Sequence, residues 1–319
     1  MISQEKIKSL YETELKPQLA DMEKMRKFVK RWRRLAIGSG IVAILFLSNC
    51  SSAVEIIGGI VFIAGAIYGG IKAYGTYTKY KKQFKNEVVR KVIYLINPAY
   101  EYSPDKHINS SDYNKAGIFK QKAERYSGDD LIIGKIDKTP FKFSEFKTEY
   151  KTTSTDSDGN RETKWHTIFR GLFFLADFNK NIEGQTFVFP EKDRKLTNLF
   201  GKEKAESKHY GELVKLENPE FEEIFSVYGS SQQEARYILT PVLMEAMVNI
   251  YKTYGLTMYF SFKGANVFCA IPFNRNLFEP NIKKSGVNYS DVEEMYVLFS
   301  LIETIVNELN LNTRIWTKD

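Results

Sequence analysis

Cysteine and histidine are scarce in this chain. Its 319 residues include two cysteines, Cys50 and Cys269, and three widely separated histidines, His107, His166 and His209. Two cysteines cannot build a disulfide framework, and without a CxxC or a Cys/His cluster the spacing excludes the usual zinc sites. A reducing compartment for most of the chain fits the same scarcity. The signatures of familiar catalysts are missing too. No GxSxG, HExxH or GxGxxG occurs, which excludes nucleophile-elbow hydrolases, zincins and dinucleotide enzymes of the standard kind. The glycines of GSG (Gly38–Gly40) lie inside an uncharged run, and FKGAN (Phe262–Asn266) lacks the spacing of a phosphate-binding loop.

Charge is absent over one long stretch. Between Leu35 and Ile71 the only charged residue is Glu55. A spanning helix needs about 20 largely apolar residues to cross a hydrocarbon core of about 30 Å. Leu35–Val54 meets that length. Ile56–Ile71 is shorter, but Lys72 can snorkel and Ala73–Tyr77 extend the run, placing Tyr74 and Tyr77 at headgroup depth. Asn49–Ser52 and Glu55 form a small polar turn between the runs, and so short a connection makes two helices antiparallel. A transmembrane hairpin is therefore expected. An export signal is excluded by position, since the first run starts behind a long charged segment. The competing reading is a buried helical hairpin, but such helices are normally interrupted by polar residues facing solvent.

What positive charge there is sits beside these runs. Residues 1–34 carry ten Lys/Arg against five Asp/Glu, and residues 72–90 carry six against one. Arg31, Arg33 and Arg34 flank one outer end; Lys72, Lys79, Lys81 and Lys82 flank the other. The positive-inside bias then predicts a multi-pass inner-membrane protein with both termini cytoplasmic and Cys50 at the far face. Residues 91–319 have 30 basic and 32 acidic groups, so the net charge of the whole chain is no nucleic-acid footprint, and no nucleic-acid partner is expected. Gly65 and Gly69 make a GxxxG on the second run, and Ala36 and Gly40 are small and four apart on the first. Small residues let helices approach closely in lipid. Packing within one chain is the plainer use of them; a homo-oligomer or a protein partner held through these helices is the other.

The remaining pattern is mixed. Ile7, Leu10, Leu15, Met22, Met25, Val29 and Trp32 give residues 1–34 a helical apolar stripe that Pro17 is expected to kink or split. Tyr77, Tyr80, Phe84, Val88, Val92 and Leu95 continue a helix out of the second run to Asn97-Pro98. Strands are expected over Asp130–Asp137, Pro140–Thr152, Lys164–Phe178 and Gln185–Pro190, with a hairpin turn at Asp158-Gly159 and a charged surface helix over Lys192–Lys208. Capping boxes at Ser231–Glu234 and Ser290–Glu293 and a Thr240-Pro241 start mark three helices, the last reaching about Leu309. Gly255–Phe273 reads as a second hairpin turning at Lys263–Asn266, with Cys269 as a small core residue. The fold class is α+β: antiparallel sheet with segregated helices. The expected organisation is a cytoplasmic amphipathic helix (1–34), a transmembrane hairpin (35–77), a juxtamembrane helix (78–98) and a cytoplasmic α+β domain (99–319).

The phrases IFRGLFFLADFNKN (Ile168–Asn181) and EARYILTPVLMEAM (Glu234–Met247), with RYSGDDLIIGKI (Arg125–Ile136) and FSEF (Phe143–Phe146), resemble an uncharacterised bacterial membrane-protein family, domain of unknown function 3137. The resemblance implies a charged N-terminal segment, a pair of transmembrane helices and a body of this kind. It brings no catalytic or binding residue.

Polar candidates are few. Asp129-Asp130 could begin a metal site, but neighbours on a strand point to opposite faces, so a turn entering the strand is the expectation. His166 with Glu145 or Glu149 across the first hairpin would make a general base and its orienter; cross-strand pairing accounts for the same residues. Glu234 and Arg236 sit two apart on a helix and are expected to pair structurally elsewhere. No catalytic set, metal or cofactor is expected. The sequence points to a membrane-anchored cytoplasmic binding or scaffold module whose partners are the bilayer and an unidentified ligand. A membrane-tethered enzyme of unrecognised class and a structural subunit of a larger membrane complex are the alternatives.

Overall fold

The computed structural model describes residues 4–48, 52–155, 159–193, 208–283 and 288–308. Cys50, the Asp158 of the expected turn, most of Lys192–Lys208 and Leu309 lie outside them. The chain divides into two compact units, residues 1–96 with 278–297 and residues 97–277 with 298–319.

The first unit is helical. Helix α1 (Gln4–Leu10) passes through a π turn (Tyr11–Leu15) into α2 (Lys16–Ser48). Pro17 thus neither splits nor ends the helix. It has no N–H to give the carbonyl four residues back, and the wider turn lies just before it. Helix α3 (Ala53–Phe84) continues through a second π turn (Lys85–Val89) into α4 (Arg90–Ile96). A π turn takes one extra residue, so the buried face shifts there: Val89 and Ile93 are buried beside the expected Val88 and Val92.

The start of α3 is fixed by a reciprocal cap. The Ser52 hydroxyl accepts from the Glu55 amide at 3.4 Å, and the Glu55 carboxylate accepts from the Ser52 amide at 2.9 Å. The single charge in the apolar region is therefore a helix cap. Helices α2 and α3 pack along each other, and small residues mark the closest approach. A Cβ on Gly69 would stand 3.1 Å from that of Ala36, and one on Gly65 would stand 3.5 Å from the Ser39 hydroxyl. Gly58 and Gly59 approach Phe46 and Leu47 more closely still, whereas Gly40 has open space. The stretch Ala53–Ile96 is long and apolar enough to cross a membrane by length and composition, with mean hydropathy 1.9 in its apolar window, of which 11% is buried. Exposed on α2 are Leu35, Ile37, Ile41, Ile44 and Leu45; exposed on α3 are Ile57, Ile60, Val61, Ile67 and Ile71.

Among the described residues the second unit is built on an antiparallel sheet of seven strands: β1 (Glu101–Ser103), β2 (Arg125–Ile136), β3 (Thr139–Thr155), β4 (Arg161–Pro190), β5 (Glu212–Val214), β6 (Phe225–Gly229) and β7 (Tyr259–Pro272). Its order is β1-β2-β3-β4-β6-β5, with β7 also paired to β4. The 30-residue β4 is the spine. Its first half pairs with β3, its last five residues with β6, and Gly171–Val188 with β7. The two strands expected over residues 164–190 are thus one.

The hairpin expected at Gly255–Phe273 does not form. Both halves of that stretch run along β4 as one strand, and Lys263–Asn266 is an irregularity opposite the Asp177–Gln185 bend of β4. Gly264, with φ +59, takes the left-handed conformation the corner needs. Alternation then sorts the aromatics. Phe173 joins Tyr113, Phe146, Phe169 and Phe268 on one face, beneath α5 (Ser110–Ala116); Phe141 and Phe174 stack on the other.

Helices α6 (Pro219–Ile224), α7 (Gln232–Ile238) and α8 (Pro241–Tyr254) follow. Thr240 caps α8 from the Leu243 amide at 3.3 Å, with Pro241 in the first turn. The last helix, α9 (Tyr289–Glu308), starts one residue before Ser290. Ser290 is therefore no cap; Asp291 instead accepts from the Asn288 amide at 3.2 Å.

Candidate functional site

Asp129 and Asp130 do converge, against the expectation from strand alternation. The β2–β3 register shifts between Asp129 and Ile132, and Asp130 adopts φ +58. This bulge, rather than a turn entering the strand, swings the second carboxylate back towards the first. Asp129 pairs across the ladder with Glu145, and one carboxylate oxygen from each of Asp129, Asp130 and Glu145 lies within 4.8 Å of the others. Three such oxygens are ligands of the type calcium or magnesium takes. Two of these buried acids already have donors. The Tyr102 hydroxyl gives Asp130 a 2.5 Å hydrogen bond, and the Leu277 amide gives Glu145 another of 2.5 Å. These bonds do the compensating that a buried carboxylate requires, so the cluster is accounted for as a structural knot holding Leu277 against β3.

His166 meets neither candidate carboxylate. It lies opposite Tyr150, stacks on that ring at 5.0 Å and places Nε2 2.8 Å from the Thr152 hydroxyl. Glu145 lies opposite Leu172, six residues along β4, which is about 20 Å at strand rise. Glu149 lies opposite Thr167, and the neighbour of Thr167 on a strand faces the other way. Lys147 bonds Glu149 at 2.5 Å and Arg125 stands 3.7 Å away. That bond, first among the causes, holds the Glu149 carboxyl below the ordinary carboxylate range.

Glu234 does a different job from the capping box read in the sequence. Ser231 does accept from the Glu234 amide at 3.3 Å. The carboxylate, however, turns to the backbone of β4, accepting from Glu183 at 2.8 Å and from Gly184 at 3.0 Å. Arg236 donates to the Lys215 carbonyl at 3.2 Å. These bonds tie α7 to β4 and to Lys215, just past the end of β5. Cys269 is fully buried, and burial pushes its thiol well above the ordinary range, so it is a packing residue.

One concave feature of the sheet is a groove of about 350 Å³ along β2, β3, β4 and β7. Ile133, Phe141, Leu175 and Phe268 line it, with Asp112, Lys115, Lys142 and Asp177 as its charged members. Lys142 and Asp112 stand 3.6 Å apart. Sequence reasoning missed this groove, because its lining comes from four strands and α5 whose order was not readable.

The basic residues expected beside the apolar runs occupy both helices of the first unit. Arg31, Arg33, Arg34, Lys72, Lys79 and Lys82 are exposed. Lys81 is paired with Glu279, which also accepts from the Tyr77 hydroxyl at 3.1 Å.

Among curated proteins none matches the chain. A crystal structure of the mycobacterial trehalose monomycolate transport factor A, TtfA, aligns with a TM-score of 0.35 at 8% identity, covering 74% of this chain and 99% of that one. Residues 167–311, from the β4 phrase through α7, α8 and α9, match a family described as Protein of unknown function (DUF3137). Over those residues the chain is a DUF3137 domain.

Proposed function

We propose that this protein is a membrane-anchored module that works by binding rather than by catalysis. Residues 35–77 cross the inner membrane as a helical hairpin, both termini are cytoplasmic, and the sheet unit holds a ligand on the cytoplasmic side. The observation that carries the anchor is the outward apolar surface shared by α2 and α3. Apolar side chains on both helices face away from their partner, and water is a poor solvent for so continuous a band. Binding is supported by the groove, whose apolar floor and charged rim suit a small amphiphile with one charged end. Separation of His166 from Glu145 and Glu149 removes the acid–base pair on which the enzyme alternative leaned.

The anchor is tested on native membranes. The full chain should stay in the membrane pellet after high-salt and urea washes. Cys50 should react with a membrane-impermeant maleimide from the outer side, while buried Cys269 stays silent in the folded protein. Release by urea, or labelling from the cytoplasmic side alone, would sink the anchor. For the binding half, native mass spectrometry of the detergent-solubilised chain should show a small non-protein mass that Leu175→Arg removes. A ligand-free wild type from native membranes counts against the groove.

A further inference from the structure

The basic side chains around the end of the apolar band fall into two sets that sequence alone treats as one. The first set is consumed by protein. Arg26 is buried, forks onto Glu23 at 2.6 and 2.7 Å, and donates to the Ile282 carbonyl at 3.1 Å. Lys30 reaches the Lys283 carbonyl at 3.4 Å, and Lys81 is paired with Glu279. These three fasten the segment 278–283 to α2 and α3. The second set, Arg31, Arg33, Arg34, Lys72, Lys79 and Lys82, is exposed and has no acidic partner among the described residues.

The helix pairing puts much of the second set at one level. Ala36 lies against Gly69, and the Trp32 ring stands 5.6 Å from that of Tyr68. Antiparallel helices in that register place Arg33 beside the turn of Lys72. Lys79 and Lys82 follow about 10 to 15 Å further along α3, at 1.5 Å per residue. Directly on the other side lie exposed Leu35, Ile37, Ile67 and Ile71. Trp32, Tyr68 and Tyr74 mark the border, where amphipathic rings settle at headgroup depth. Lys72 lies over the Tyr68 ring at 5.5 Å, so its ammonium is held at this border.

We propose that the second set is a collar for the headgroups of anionic phospholipids, whereas Arg26, Lys30 and Lys81 are structural. The proposal rests on the membrane-anchored reading and deepens it. Charge complementarity selects the occupant: uncompensated cations next to an apolar band face phosphate-bearing headgroups, and each adds about fivefold to attraction by an anionic surface. A polyanion free in solution would leave the adjoining apolar side chains wet.

The test uses the full chain in nanodiscs of phosphatidylcholine alone or mixed with phosphatidylglycerol, read by native mass spectrometry after release into detergent. Wild type should retain phosphatidylglycerol at least about tenfold over phosphatidylcholine, with the preference falling as salt rises. The combined variant Arg31→Gln, Arg33→Gln, Arg34→Gln, Lys72→Gln should lose that preference at an unchanged melting temperature. Lys81→Gln should do the reverse, melting lower while keeping the preference. Equal retention of the two lipids by an inserted wild type, or a preference untouched by the combined variant, overturns the proposal. Failure to insert into nanodiscs of either composition would instead overturn the anchor.

Discussion

Gly171→Ala is expected to destroy the packing of the sheet unit, at a cost above about 4 kcal/mol. Gly171 sits in β4 between Phe146 of β3 and Pro272 of β7. A Cβ there would lie 2.0 Å from the Ile271 carbonyl oxygen, 2.8 Å from the Pro272 Cα and 2.9 Å from the Ile271 carbonyl carbon. All three are backbone atoms, so no side chain can rotate to make room; β7 has to leave β4. That strand carries Phe268, Cys269 and Ala270, all fully buried. The substitution should therefore lower or abolish the cooperative thermal transition, followed by circular dichroism, and make Cys269 reactive to maleimide. Gly229→Ala is the control in the same sheet. Its Cβ would meet nothing nearer than the Gln185 carbonyl oxygen at 3.4 Å, an ordinary contact. If the two variants melt alike, the close β4–β7 approach is not what requires glycine at 171.

The contrast between those glycines also shows where the sequence could and could not be read. Elements with local signals were legible. Thr240-Pro241 opens α8 because an N-cap hydroxyl and a first-turn proline act within four residues of each other. The long apolar stretch of α3 was equally plain. The Ser52–Glu55 cap was within reach, being a serine followed three residues later by glutamate, but the same residues also read as a polar turn. Features set by distant partners were not legible. Gly255–Phe273 has the composition of a hairpin, with a glycine at the right place to turn. It continues as one strand through a corner at Gly264 because β4 bends beside it and offers ladder partners to both halves. Asp129 and Asp130 obey alternation until a bulge, stabilised by Tyr102, cancels it. Glu234 fits a capping box locally, yet two β4 amides compete for its carboxylate and win. The groove depends on strand pairings distant in the sequence, such as Leu175 with Phe268, and the division of the basic residues on contacts more distant still, such as Arg26 with Ile282.

Alkaline pH is the second strong lever on the sheet unit, and Tyr113 carries its clearest part. The ring is buried among Phe119, Phe146, Phe169 and Phe173, with centroids 5.1 to 6.5 Å away. Burial, the larger cause, pushes the phenol up to about 12, against the opposing effect of a 2.9 Å hydrogen bond with the Thr148 hydroxyl. The phenols of Tyr100 and Tyr259 are likewise raised, again chiefly by burial. A group whose pKa is higher in the folded state binds its proton more tightly there. Its contribution is therefore complete below the unfolded value near 10 and is lost as pH rises through the folded one. For Tyr113 alone the loss is about 3 kcal/mol, at 1.36 kcal/mol per pKa unit. Unfolding midpoints in urea should then fall steeply between pH 10 and about 12. Tyr113→Phe removes one titrating phenol but leaves the buried Thr148 hydroxyl short of its partner, a cost of about 1 to 3 kcal/mol. The variant should be weaker than wild type at neutral pH and lose less stability across the alkaline window. Two parallel curves would mean that Tyr113 keeps access to water, which a residue 6% exposed in the middle of these four aromatic rings should not have.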